Sequence, residues 1–167
     1  MSNTTYILDD KLLASSGARF LNYLIDLFFS IVIFIMITVF LGVLIGLGFT
    51  ELGVWMDNLG DFGWNVIAII ISFTYYLVME GLFARSIAKF ITGTVVVDEN
   101  GQKPDFATIF RRSLCRFIPF DAFTFLGGSR GWHDSISHTY VVNKKALEEE
   151  MRMFHEFNLI GTTNEVI

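Results

Sequence analysis

The chain has 167 residues, 53% hydrophobic and 16% aromatic, with 17% charged residues, a net charge of −5 and a mean hydropathy of +0.53. Soluble domains carry roughly 45–50% apolar and about 25% charged residues, so this composition reads as a membrane protein with a modest soluble portion. The apolar content excludes disorder, the single cysteine (Cys115) excludes a disulfide scaffold or a thiolate zinc site, and the acidic balance argues against nucleic acid as partner.

Residues 1–16 are polar and mixed, and the apolar run that follows starts too late and is too long for a secretory signal. Residues 27–49 contain no charge; as a helix they span about 34 Å, enough for a hydrocarbon core of ~30 Å with some tilt. Gly42 and Gly46 at its far end form a GxxxG, a spacing that permits close helix approach. Residues 50–61 read as a short acidic connection, with Trp55 and Trp64 placed like interfacial aromatics. Residues 62–79 form a second apolar segment, about 27 Å as a helix and long enough to cross. The expected fold class is an all-α membrane protein: a two-helix transmembrane hairpin with interfacial helices and a small cytoplasmic β element.

No Lys or Arg lies between Phe20 and Ala84, so every one falls on the two flanking segments. The positive-inside rule then places both termini of this multi-pass chain in the cytoplasm and the acidic connection outside. Three regions are expected: a cytoplasmic segment 1–16, a membrane domain 17–143 and a cytoplasmic helical tail 144–167.

Past Arg85 the texture changes. Residues 94–97 and 138–142 are two short β runs able to pair, the first ended by an Asn-Gly turn at 98–101. Between them Asp105 or Thr108 caps a helix running to Ile118, with Pro119 as its stop. That helix sets Phe106, Ile109, Phe110, Leu114 and Phe117 against Arg111, Arg112 and Arg116, a mixture suited to lying in the interface with its cations toward anionic head groups. Its arginines forbid a simple third crossing; residues 120–126 are too short to span but apolar enough to dip in. Residues 127–131 are a glycine-rich loop, and residues 144–157 a solvated helix with Lys/Glu pairs.

Charges near the membrane boundary are the candidate site. Asp26 sits at the edge of the long apolar run, and Arg19 lies seven residues earlier on nearly the same helix face. In an antiparallel hairpin Arg85 marks the same interface as Arg19 and Glu80 sits at a depth between Arg19 and Asp26, making an Arg19–Glu80 or Arg85–Asp26 pair reasonable across the hairpin. Such charges either orient the hairpin and snorkel to the interface or carry protons and cations; their nearness to the boundary favours the structural role. His133 and Asp134 read as a satisfied structural pair, since His138 is too poorly placed to complete a metal or acid–base site. Ser129, Ser135 and Ser137 lie near these histidines without a nucleophile elbow, and 127–131 lacks the Lys-Ser/Thr of a phosphate loop. No cofactor or metal site and no catalytic set is expected, so the chain is not read as an enzyme.

The pattern resembles the RDD family of bacterial membrane proteins, named for one arginine and two aspartates. Arg19 and Asp26 in ARFLNYLID match its opening Arg and Asp, seven apart. The run 84–89, Ala-Arg-Ser-Ile-Ala-Lys with Arg85 and Lys89, resembles the family's Gly-Arg-Thr-Leu-Gly-Lys, with Ala84 and Ala88 standing where the pattern has glycine. Trp132-His133-Asp134 followed by Thr139-Tyr140-Val141-Val142 resembles the closing element, making Asp134 the second aspartate, and Arg112 or Arg116 matches the arginine before the last apolar segment. The resemblance implies a place in the bacterial inner membrane and a function in transport, in some members sodium/proton exchange. Two functions follow as expectations: a component of cation, proton or small-solute transport, or a non-catalytic membrane scaffold or assembly factor docking a cytoplasmic partner. Two crossings cannot enclose a path, so beyond the lipid bilayer the expected partners are copies of the chain or a larger membrane complex.

Overall fold

The computed structural model describes residues 6–118, 120–124 and 130–164. Pro119 as a helix stop, residues 125–126 of the dipping segment, most of the glycine loop and Ser129 lie outside the described residues.

Two long antiparallel helices dominate. α1 runs Ser16–Gly46, capped by Ser15, whose hydroxyl accepts from the Ala18 amide. α2 runs Thr50–Phe83 and is broken by non-helical geometry at Gly60 (φ 57°, ψ −177°), a conformation open to glycine. Tyr75 meets Asp26, Trp64 packs edge-on against Phe34 at 5.9 Å, and Gly53 faces Ile45, so the two helices stay in register along their length. The expected acidic connection at 50–61 is therefore helical. The turn is only residues 47–49, made possible by Gly48 at φ +108°, and the helix restarts at once. A methyl group at Gly42 or Gly46 would meet nothing within 4 Å, so the GxxxG makes no close approach inside the chain.

Burial in this pair is inverted relative to a soluble protein. The buried residues of α1 are Arg19, Asn22, Asp26 and Ser30, spaced three or four apart as one helical stripe. Phe28, Met36, Val39, Phe40, Phe62 and Ile70 are exposed. Water would penalise such a surface; hydrocarbon does not. Both helices are long and apolar enough to cross a membrane.

The rest of the chain caps one end of the hairpin. After α2, Ala84 adopts a left-handed conformation (φ 54°), turning the chain into α3, Ile87–Thr92, whose Ser86 cap accepts from the Lys89 amide. β1, Thr94–Val97, pairs antiparallel with β2, Tyr140–Asn143, setting Val95 opposite Val142 and Val96 opposite Val141. Two strands alone are marginal, but these are covered: Leu12 and Leu147 pack with Val97 and Val142, and Ala14 packs with Val96 and Val141. α4, Phe106–Cys115, is capped by Asp105 and lies against α2, with Phe110 and Phe117 meeting Phe73 and Phe106 meeting Gly81. Short helices α5, Asp121–Thr124, and α6, Trp132–Ile136, follow. α7, Lys144–Asn164, is the expected tail, with a Lys144–Glu148 pair at 3.2 Å.

Candidate functional site

The polar stripe of α1 meets charges from α2, α3, α4 and α6 in one buried network. Glu80 of α2 is its acidic centre, fully buried and held by three cations. Lys89 Nζ donates to Oε1 at 2.9 Å, Arg116 Nη2 donates to Oε1 at 2.8 Å, and Arg112 Nε donates to Oε2 at 2.9 Å. Arg112 then bridges onward: its Nη1 donates to Asp134 Oδ1 and to Thr139 Oγ1 at 2.6 Å. The other oxygen of Asp134 takes Arg19 Nη1, and the Gly131 amide donates to it at 3.2 Å. Arg19 also donates through Nε to the Ala14 carbonyl at 3.2 Å, tying α1 to the segment ahead of it. One continuous chain of ion pairs thus joins both long helices to α3, α4 and α6.

Asp26 is held differently. Its Oδ1 accepts from Tyr75 Oη at 2.7 Å and from the Ala88 amide at 3.1 Å, and both bonds fall on that oxygen. Glu80 and Asp134 are paired with cations and Asp121 is bonded to His133; among the described residues Asp26 is the one buried carboxylate with neither a cation nor a histidine against it. Ala88 is completely buried, and any larger side chain at this point would separate α3 from Asp26.

His133 Nδ1 lies 2.5 Å from Asp121 Oδ2, while its Nε2 is 3.5 Å from Asp134. Burial pushes the imidazole below its ordinary pKa, with Arg116 and Arg112 acting in the same direction against Asp134. The neutral ring donates through Nδ1 to Asp121. For Asp134 burial opposes ionisation, but Arg112 above all, with His133 and Arg19, holds the carboxyl well below the usual range. Burial also pushes the Lys89 ammonium down, against the pull of Glu80. Four cations (Arg19, Lys89, Arg112, Arg116) therefore face four carboxylates (Asp26, Glu80, Asp121, Asp134) around a neutral histidine. The cluster is charge-balanced, the condition under which burying so many ions is tolerable.

These groups surround a cleft of about 80 Å³ lined by Asn22, Tyr23, Asp26, Tyr76, Lys89 and His133 among others, room for a few waters or a small ion. Arg116 closes one wall by lying 4.0 Å over the Tyr76 ring.

Several expectations are corrected here. Neither Arg19–Glu80 nor Arg85–Asp26 pairs. Arg19 reaches Asp134, because α6 and β2 insert against the start of α1, and Glu80 is already saturated by cations from α3 and α4. Arg85 is swung aside by the left-handed Ala84 and lies 5.4 Å over the Phe90 ring. On α4 the expected orientation of the cations is reversed: Arg112 is buried and Arg116 nearly so, both facing Glu80, while Phe106, Phe110 and Leu114 are exposed. Only Arg111 points away, donating to Thr108. His133 is satisfied as expected, but chiefly by Asp121.

Asn22, Tyr75, Tyr76, Asp121 and Thr139 belong to the site and escape sequence reasoning. Asn22 alone carried a signal, the three-to-four spacing that it shares with Arg19 and Asp26. The Ser137 hydroxyl donates to the His133 carbonyl at 2.5 Å. Among the described residues no cluster of His, Cys, Asp or Glu is arranged to hold a metal.

No curated relative and no solved structure matches the chain. The pattern of the RDD family does match, over residues 13–153, a stretch holding both long helices, the ion-pair network and the sheet. The residues behind the resemblance, Arg19, Asp26 and Asp134, converge on this one end of the hairpin, and the chain belongs to the RDD family.

Proposed function

We propose that the protein is a subunit of a bacterial inner-membrane transport assembly for protons or small cations, working as an oligomer or with a larger partner. Both termini and the capping sheet face the cytoplasm, in keeping with the absence of Lys and Arg from Phe20 to Ala84. The observation that carries the reading is Asp26: a buried carboxylate without a cation, bordering a polar cleft at the membrane boundary. Tyr75 and the Ala88 amide fix one carboxylate oxygen, an arrangement in which the group can take and release a proton or a small cation without losing its place. Residues 27–49 and 62–79 carry no charge beyond it, so the rest of the path comes from neighbouring subunits.

In proteoliposomes the wild-type protein is expected to show cation-dependent proton flux, abolished by Asp26→Asn with oligomeric assembly intact. Asparagine keeps the acceptor for Tyr75 and Ala88, so the variant tests charge rather than packing. Absence of flux from wild type overturns the proposal. A second reading, a non-catalytic scaffold docking a cytoplasmic partner, is favoured by the complete pairing of Glu80 and Asp134, which makes the cap a rigid platform. A stoichiometric partner retained through detergent extraction, with no flux, selects it.

A further inference from the structure

A larger groove, about 440 Å³ and sharing no lining residue with the cleft of the ion-pair network, lies between the end of α2, α3, β1 and α7. We infer that it binds the phosphate-bearing headgroup of an anionic phospholipid. Arg85, Lys103 and Lys144 line it, and Glu148, its one acidic residue, is paired with Lys144. The lining therefore carries a net charge of about +2 in an acidic protein.

The cations are placed, not scattered. Lys103 Nζ donates to the Leu82 carbonyl at 2.8 Å, which anchors it at the C-terminal end of α2. Arg85 lies over Phe90, and its Nη2 is buried with no hydrogen-bond partner among the described residues. A guanidinium nitrogen so placed calls for an acceptor, and a phosphate oxygen is the strongest available.

The rim decides between lipid and a free anion. Leu82, Phe83 and Phe90 border the groove and are 64%, 54% and 48% exposed. They continue the apolar surface that α2 presents along its span, where Val78 and Ile70 are also exposed. A soluble phosphate has no use for this rim; a phospholipid places its headgroup on the cations and its chains along α2. On α4, the helix expected to meet head groups, Arg112 and the capping Arg116 are spent on Glu80 and Arg111 is left exposed, so this elbow holds the larger group of free cations.

The test is native mass spectrometry of the full chain released from nanodiscs of mixed phosphatidylglycerol and phosphatidylcholine. Wild type is expected to retain phosphatidylglycerol selectively. Lys103→Gln and Lys144→Gln, both exposed positions, should each lower the preference ~5-fold, and Arg85→Gln should abolish it. Arg111→Gln, an exposed cation on α4 outside the groove, should change nothing. The inference fails if wild type shows no selectivity, if Arg111→Gln costs as much as Arg85→Gln, or if millimolar inorganic phosphate displaces the lipid, which marks a free-anion site. Should Arg85→Gln fail to fold, the two lysine variants decide the matter.

Discussion

Arg112 is the residue whose removal most directly tests the ion-pair network. It is fully buried and joins the two anionic centres, donating through Nε to Glu80 and through Nη1 to Asp134 and Thr139. Methionine preserves much of the stem and deletes the charge. The cluster then holds three cations against four carboxylates. Stripping a buried ion of its partner costs about 3–5 kcal/mol. Glu80 keeps Lys89 and Arg116 and Asp134 keeps Arg19, so the lower end applies, about 3 kcal/mol. For a chain of this size that corresponds to a fall of roughly 10 °C in the melting temperature. The measurement is thermal unfolding in detergent, followed by circular dichroism, of Arg112→Met, Asp134→Asn and the double variant. Because the two groups are bonded, the double variant should be less damaged than the sum, with a coupling of about 1–3 kcal/mol. Strict additivity, or a loss under about 1 kcal/mol for Arg112→Met, would refute the view that this network holds the cap to the hairpin.

The remaining predictions are smaller or differ in kind. Ala84 adopts the left-handed geometry that closes α2, so Ala84→Gly should raise stability by about 1 kcal/mol, read as a higher melting temperature. Ala88→Leu should lose about 1–3 kcal/mol, because the side chain fills a fully buried contact beside Asp26. His133 sits below its ordinary value of 6.5, so between the two values the unfolded chain binds the extra proton. Stability is therefore complete above about 6.5 and declines as the pH falls below it. Asp121 and Asp134 are likewise depressed and add a second loss at more acid pH. A melting-temperature profile of His133→Gln should lack the first decline and keep the second.

Much of the architecture was legible because membranes impose simple rules. Unbroken apolar length located both long helices, the Lys/Arg gap bracketed the hairpin turn, and the Asp105 cap and the two valine runs behaved as their local chemistry dictates. Residues 50–61 misled because acidic and glycine-bearing character is shared by turns and by polar helix starts; the reversal needed only Gly48 and its neighbours. The site was legible in most of its charged members and not in its pairing. Arg19, Asp26 and Glu80 stand out as charges close to lipid, Arg112 and Arg116 as cations of an interfacial helix, and Lys89, His133 and Asp134 through the family resemblance. Which carboxylate each cation takes depends on how α4 and α6 fold back, and Arg19 and Asp134 stand 115 positions apart. Helix periodicity could not reveal that α4 hides Arg112 and leaves Arg111 out, because its face is chosen by Glu80 and Asp134 behind it rather than by its own pattern.

The bond between Arg19 and Asp134 also bears on how the protein is made. Translation delivers α1 long before the counter-ion of Arg19 exists, and Glu80 of α2 likewise emerges ahead of Arg112 and Arg116. During that interval the nascent hairpin must park its ionic groups in interfacial water or against the insertion machinery, at a depth shallow enough to be tolerated. Only when the last quarter of the polypeptide emerges can the lock click shut. A message truncated between codons 120 and 134 would thus release an inserted but unsealed hairpin, the form that membrane quality-control proteases are suited to remove.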